Sequence, residues 1–190
     1  MSRPQFVLVA GPNGAGKSTL TQSVKHRFPN IEVIDPDAIA KSMTGSFSTV
    51  DLEQLAAGKR TLELVRQHIS GGQSLMVEST ISGATYLKYV RMAKAADFRT
   101  VFIYVALQSA EMSAERVAKR VAMGGHSIPL ADVRRRYPRS MENLRAYIKE
   151  FESAHIYDNS DHYRWVAAFR NGLVHKIAPD VPEWLGRYLF

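Results

Sequence analysis

Gly11, Gly16, Lys17 and Ser18 occupy the four fixed places of the pattern Gly-x-x-x-x-Gly-Lys-[Ser/Thr] within Gly11-Pro12-Asn13-Gly14-Ala15-Gly16-Lys17-Ser18-Thr19. Glycines let a backbone curl until successive N–H groups point inward at phosphate oxygens, and a helix start adds partial positive charge at the same spot. In such a loop the stretch from Gly11 and Asn13 through Gly14, Ala15, Gly16 and Thr19 wraps the phosphates. Lys17 reaches the β- and γ-phosphates, and the Ser18 hydroxyl helps hold Mg²⁺. The alternative is a glycine-rich turn that binds nothing. The apolar run Phe6-Val7-Leu8-Val9-Ala10 before the loop and the helical pattern after it argue for the phosphate reading, and ATP with Mg²⁺ is the expected ligand.

A phosphate loop alone does not separate kinase, GTPase, motor and transporter. The chain has no Asn-Lys-x-Asp run of the kind that reads guanine. Two apolar strands instead end in Asp35-Pro36-Asp37 and Glu78-Ser79-Thr80, at the ends where open parallel sheets place their ligands. A carboxylate there can take the proton of a substrate hydroxyl as it attacks the γ-phosphate, which makes Asp37 the candidate base. Its alternative role is a helix N-cap. Glu78 is either a substrate contact or a Mg²⁺ or water ligand. Arg116 and Arg120, four apart, share a helix face, and Arg134, Arg135, Arg136 and Arg139 follow across Gly124-Gly125-His126. Arginines on either side of a glycine hinge can close over a triphosphate and stabilise the transferring group. The bland alternative is a solvated basic helix face. His126 is a weak candidate, since a loop histidine more often hydrogen-bonds than catalyses.

These groups need a scaffold, and the periodicities supply one. Strands are expected at 6–10, 31–34, 74–78, 100–107 and 155–160, with helices at 19–28, 37–41, 51–69, 84–96, 113–123 and 130–153. Gly45 to Thr49 reads as loop. Trp165–Phe169, a turn at Asn171-Gly172 and Leu173–Ile177 read as an edge hairpin, followed by a closing helical segment at 179–188. Apolar strands alternating with helices imply an α/β fold: a parallel sheet flanked by helices, of adenylate-kinase type. The expected layout is one kinase domain over 1–190, with a short arginine lid at about 116–139 and a C-terminal hairpin at about 163–178.

The 190 residues carry a net charge of +7, with seven arginines and one lysine between Arg116 and Arg145. That concentration suits a phosphorylated ligand or an acidic protein better than a diffuse nucleic-acid surface. There is no cysteine, which excludes disulfides and thiolate metal sites. With no signal-peptide pattern and no long apolar run, the expectation is a soluble cytoplasmic protein that does not engage a membrane.

The ordered set Gly-Pro-Asn-Gly-Ala-Gly-Lys-Ser-Thr, Ile34-Asp35-Pro36-Asp37-Ala38-Ile39-Ala40 and Glu78-Ser79-Thr80-Ile81-Ser82-Gly83 resembles the zeta toxin family of P-loop kinases. Arg116-Val117-Ala118-Lys119-Arg120, Gly124-Gly125-His126-Ser127-Ile128-Pro129 and Arg135-Arg136-Tyr137-Pro138-Arg139-Ser140 extend the match to its short, compact branch. The resemblance implies transfer of phosphate from ATP to a small-molecule hydroxyl, such as that of the sugar nucleotide UDP-N-acetylglucosamine, and an antitoxin partner. It implies Asp37 as base, Glu78 and Thr80 on the substrate side, and Arg120 with Arg135 or Arg136 at the γ-phosphate. The chain departs from the family where Asp35 replaces a common Asn and where the insertions of larger members are missing. Two rival readings are a polynucleotide or nucleoside kinase and a non-catalytic ATP-binding switch.

Overall fold

A computed structural model describes residues 3–28, 30–43, 50–125 and 127–190. The expected loop at 45–49, His126 and Pro29 of the first helix stop lie outside these residues. Seven strands form one sheet in the order β2(Glu32–Ile34), β3(Leu75–Ser79), β1(Gln5–Ala10), β4(Arg99–Ala106), β5(Ser153–Asp158), β6(Arg164–Arg170), β7(Leu173–Ile177). The first five are parallel; β6 and β7 add on antiparallel at the β5 edge. β1 lies between β3 and β4, so the strand order reverses there and a crevice opens beyond its C-terminal end.

β1 is central because both of its faces are apolar. Phe6, Leu8 and Ala10 pack with Phe102, Tyr104, Tyr147 and Phe151 on one side, while Val7 and Val9 meet Leu20, Ile103 and Val105 on the other. The Phe102 ring stacks on Phe151 at 5.1 Å and on Tyr147 at 5.9 Å. The helices are α1(Lys17–Val24), α2(Pro36–Ser42), α3(Val50–Ser70), α4(Thr85–Ala95), α5(Ala110–Ala122), α6(Leu130–Glu150) and α7(Glu183–Leu189), with a 3-10 turn at Lys25–Arg27. No helix among the described residues is long and apolar enough to cross a membrane.

Several boundaries differ from the sequence reading. α1 starts at Lys17 rather than Thr19, because Gly16 in the left-handed region ends the loop one residue before it. α5 starts at Ala110, capped by the Ser109 hydroxyl accepting from the Met112 N–H, and Ser113 sits inside the helix rather than at its head. α6 stops at Glu150 and β5 starts at Ser153. Phe151 is drawn into the core and the Glu152 N–H donates to Thr100 Oγ1, so the chain is extended before the helical pattern of the sequence runs out. The hairpin turn has φ of 49° at Asn171 and 77° at Gly172, the double positive φ for which Asn-Gly is suited. A register shift between Ala168 and Phe169 bends β6 against the exposed strand β7.

Candidate active site

The loop between β1 and α1 is tightly fitted. A Cβ at Gly11 (φ 145°) would lie 2.1 Å from the Val105 carbonyl oxygen, so only glycine passes β4 there. Gly16 (φ 93°) faces the Tyr163 hydroxyl and the Asn159 amide, again leaving no room for a side chain. The loop's carbonyls are claimed by distant residues. Ser113 Oγ donates to Asn13 O (2.6 Å), Asn159 Nδ2 to Ala15 O (2.9 Å) and Tyr163 Oη to Gly16 O (2.5 Å). The Gly11 N–H donates to Ser79 O (3.2 Å), which ties the loop to the neighbouring strand end.

A cavity of about 650 Å³ opens in front of this loop. Asn13, Gly14, Gly16, Lys17, Ser18 and Thr19 line it; Gly11 and Ala15 lie behind, against β4 and the core. Lys17 Nζ donates to Gly11 O and Pro12 O, each at 3.0 Å. Ser18 Oγ donates to Glu78 Oε2 at 2.8 Å. Burial pushes the Glu78 carboxyl above its usual range, against the pull of Lys17 and the Ser18 hydrogen bond. Burial lowers the Lys17 ammonium in turn, despite Glu78 and Asp37 nearby.

The chain fits ATP with Mg²⁺ on these observations. Three positive-φ glycines, Gly11, Gly14 and Gly16, curl the loop, and Asn13 Oδ1 is buried without a protein partner. Ser18 and Glu78 supply the hard oxygens Mg²⁺ accepts. Among the described residues no cluster of three or more histidine, aspartate or glutamate side chains could cage a metal.

Across the cavity stand the acids and arginines. Asp35, rather than Asp37, caps α2: its Oδ1 accepts from the N–H groups of Asp37 (2.9 Å) and Ala38 (3.3 Å). The capping alternative for Asp37 therefore falls to its neighbour, and Asp37 Oδ2 faces Arg120 Nη1 at 3.6 Å. Thr80 lines the cavity, its hydroxyl 3.1 Å from that of Ser82. Arg116, Arg120 and Arg136 also line it; Arg116 donates to Ser160 O at 2.8 Å and Arg136 pairs with Asp132 at 3.0 Å. Arg135 does not reach the cavity: its guanidinium is half exposed and held by Asp132 at 2.7 Å. The sequence reading missed Ser113, Asn159 and Tyr163. Their contacts with the loop span 100 to 147 residues, and no local spacing announces them.

A glycine loop at the reversal point of a parallel sheet, facing acids at adjoining strand ends and arginines from two further helices, defines the class as an ATP-dependent P-loop kinase. The chain belongs to the zeta toxin family, whose model matches residues 1–165. It is 32% identical over 135 residues to an uncharacterized protein of Haemophilus influenzae, covering 69% of this chain and 91% of that one. Among solved structures, it is similar to one from the PezAT chromosomal toxin–antitoxin system of Streptococcus pneumoniae, with a TM-score of 0.68 and 21% identity over 86% of this chain and 71% of that one. A complex of AvrRxo1-ORF1 and AvrRxo1-ORF2 with ATP gives a TM-score of 0.68 at 15% identity, covering 91% and 60%. A gluconokinase from Sinorhizobium meliloti gives 0.50 at 17% identity, covering 83% and 84%.

Proposed function

We propose that the chain transfers the γ-phosphate of ATP to a hydroxyl of a small molecule, with Asp37 as general base. One observation carries this reading: Asp35 takes the helix cap, so the Asp37 carboxylate faces the cavity and Arg120 instead of its own backbone. In the reaction Asp37 accepts the hydroxyl proton as the acceptor oxygen bonds to the γ-phosphorus. The bond from that phosphorus to the β–γ bridging oxygen breaks, and ADP leaves. Lys17, Arg120 and Arg136 stabilise the charge on the transferring group. Ser18 and Glu78 would hold Mg²⁺, which would supply further neutralisation of the phosphates.

The family supports two finer readings. A sugar nucleotide such as UDP-N-acetylglucosamine is an acceptor that any test must include. An antitoxin is the partner class, and the net charge of +7 would suit an acidic one. Asp37→Asn tests the central assignment. Transfer should fall by roughly 10²–10⁴ while ATP binding persists. Near-normal transfer with ATP bound would remove Asp37 as the base. If labelled phosphate instead appears on oligonucleotides in a salt-sensitive manner, the enzyme is a polynucleotide kinase.

A further inference from the structure

We propose that the uncovered face of the β4–β7 half of the sheet binds single-stranded nucleic acid, on a surface separate from the cavity in front of the phosphate loop. The face is open for a topological reason. The steps from β2 to β3, β3 to β4 and β4 to β5 all run the same way across the sheet. Right-handed crossovers therefore put α3, α4 and α6 on one side of it. The step from β1 back to β2 runs the other way, which leaves the opposite side mainly to α1. There the apolar layer joins Leu20 and Val24 of α1 to β1, β3 and β4. It takes in only Tyr157 from β5 and, among the described residues, nothing from β6 or β7. On the helix-covered side, by contrast, β5 and β6 bury Ala154, Ile156, Val166, Ala167 and Phe169.

The register fixes what this open face carries. Ser153, His155 and Tyr157 of β5 stand opposite Arg170, Ala168 and Trp165 of β6, and Lys176 of β7 stands opposite Ala168. Arg99 enters at the start of β4, two residues before Val101, the partner of Ser153. Arg99, Arg170 and Lys176 are exposed, and His155, Tyr157 and Trp165 are partly so. Arg99 and Arg170 line a hollow of about 360 Å³ with Glu152, Ser153 and Asn171. Among the described residues neither guanidinium has a hydrogen-bond or ion-pair partner. Glu152 does not neutralise them, because its carboxylate is held by Arg3 at 2.9 Å. Burial, with Arg99 and His175 close by, holds the His155 imidazole below its usual pKa. Basic groups are thus gathered here from four strands.

A single strand matches this surface in two ways. The two guanidinium groups and the Lys176 ammonium can meet phosphates, and the cross-strand pair Tyr157 and Trp165 can stack bases. The indole of Trp165 belongs to neither apolar core, so its ring is not committed to the fold. The Ser153–Arg170 and Tyr157–Trp165 pairs are four residues of β5 apart, about 13 Å at the usual rise. From β4 to β7 there are three strand spacings, about 14 Å. Such a patch takes a few unpaired nucleotides lying flat. A duplex keeps its base faces stacked and offers only its grooves, so it would leave both rings unused. An acidic peptide would meet the cations but likewise leave the rings without bases to stack on. It also finds no strand edge on this face, since β5 and β6 are paired on both sides. The residues are scattered from 99 to 176, and no basic–aromatic run in the sequence announces them. The arginine hollow lies at the N-terminal ends of β4 and β5, the opposite end of the sheet from the phosphate loop, so strand and nucleotide do not compete.

The full chain is titrated with a short labelled oligouridylate by fluorescence anisotropy at several salt concentrations, with a polyglutamate peptide and an RNA duplex as competitors. The single strand should bind with an affinity that falls steeply with salt, and both competitors should be weaker by about ten-fold or more. In a Trp184→Phe background, the fluorescence of Trp165 should be quenched by oligouridylate and not by polyglutamate. Arg99→Gln combined with Arg170→Gln should weaken binding by about ten-fold and reduce the log–log salt slope by about 1.4. Lys59→Gln combined with Lys88→Gln makes the same charge change on exposed positions of α3 and α4, on the helix-covered side, and should shift the affinity by less than about two-fold. Saturating Mg²⁺ with a non-hydrolysable ATP analogue should leave the strand bound. No binding at low salt, equal binding of polyglutamate or duplex, or equal losses in the two double variants overturns the proposal. So does an unquenched Trp165, and so does displacement by the ATP analogue, which would put the strand in the cavity instead.

Discussion

The phosphate loop is fastened from three directions, by Ser113 of α5, by Asn159 and Tyr163 beyond β5, and by Ser79 at the end of β3. The wall opposite depends on less. α2 is a seven-residue helix begun by Pro36 and capped by one side chain, Asp35, and its main packing partner is α3. An eight-residue or shorter helix is marginal alone, so the placement of Asp37 rests on that cap and that neighbour. The contrast is chemical as well. On the proposed function, the loop would offer N–H groups and the Lys17 ammonium to the nucleotide, whereas the wall would offer carboxylates and small apolar residues to whatever receives the phosphate. On the proposed function, donor recognition would be preorganised by these ties, and the opposite wall would be where selectivity can change without disturbing them.

After the Asp37 variant, the largest effect should come from the loop itself. Lys17→Ala removes the ammonium that the proposed function assigns to the phosphates and should lower kcat/KM by about 10²–10³. Kinetics with several acceptors should show the same loss for each. A loss that varies with acceptor would break the division between the loop and the wall opposite it.

Glu78→Gln should separate catalysis from stability. Burial holds the folded-state pKa of Glu78 above the ordinary 4.5. A raised folded pKa means that the favourable contribution belongs to the protonated form. It is present at acid pH and lost as pH rises through the folded value, so at neutral pH the ionised buried group weakens the fold. The variant should melt higher than the parent at pH 7, by about 2–4 °C for each kcal/mol relieved, and the gap should close on acidification. Phosphoryl transfer by the parent should decline over the same acid range, and the variant should be poorly active throughout. Calorimetric melting against pH checks the first part and a pH–rate profile the second. A variant that melts lower at pH 7 would mean that the Ser18 and Lys17 contacts outweigh burial.

The smallest effect should come from the remote clamp. Ser113→Ala removes a buried hydroxyl and leaves the Asn13 carbonyl without that donor, which should lower stability by about 1–3 kcal/mol. The KM for ATP should rise while acceptor binding stays as it was. Unchanged melting and unchanged KM would show that the loop holds its shape without α5.

Much of the scaffold was legible because parallel strands advertise themselves. Phe6–Ala10 and Thr100–Leu107 are apolar on both faces and could hardly be anything else. The loop from Gly11 to Ser18 was legible as a glycine-curled turn from strand to helix, because that pattern calls for those residue types at that spacing. The boundary between α6 and β5 was not, because Phe151 continues a helical pattern locally and leaves it to join a core built by residues fifty positions earlier. Asp35 and Asp37 were hard to distinguish for a different reason. Both are acids at a helix start, and the backbone geometry decides which one turns inward to the N–H groups. Among the arginines, a run of consecutive residues on one helix points in different directions. Arg136 faces the cavity and Arg135 does not, a distinction that the charge run alone conceals.

The hairpin has a consequence for how the molecule behaves in a crowd. β7 is the last strand of the sheet, with Leu173, Val174 and Ile177 half or more exposed along its open edge. Such an edge invites a second strand, and self-association into extended sheets is the hazard. Two features oppose it here. Lys176 and His175 sit in the middle of the strand, and the irregular pairing between Ala168 and Phe169 distorts the ladder that an incoming strand would copy. The extra strands that complete the fold thus carry their own safeguard against aggregation, placed at the far edge of the sheet from β2 and its neighbouring acids.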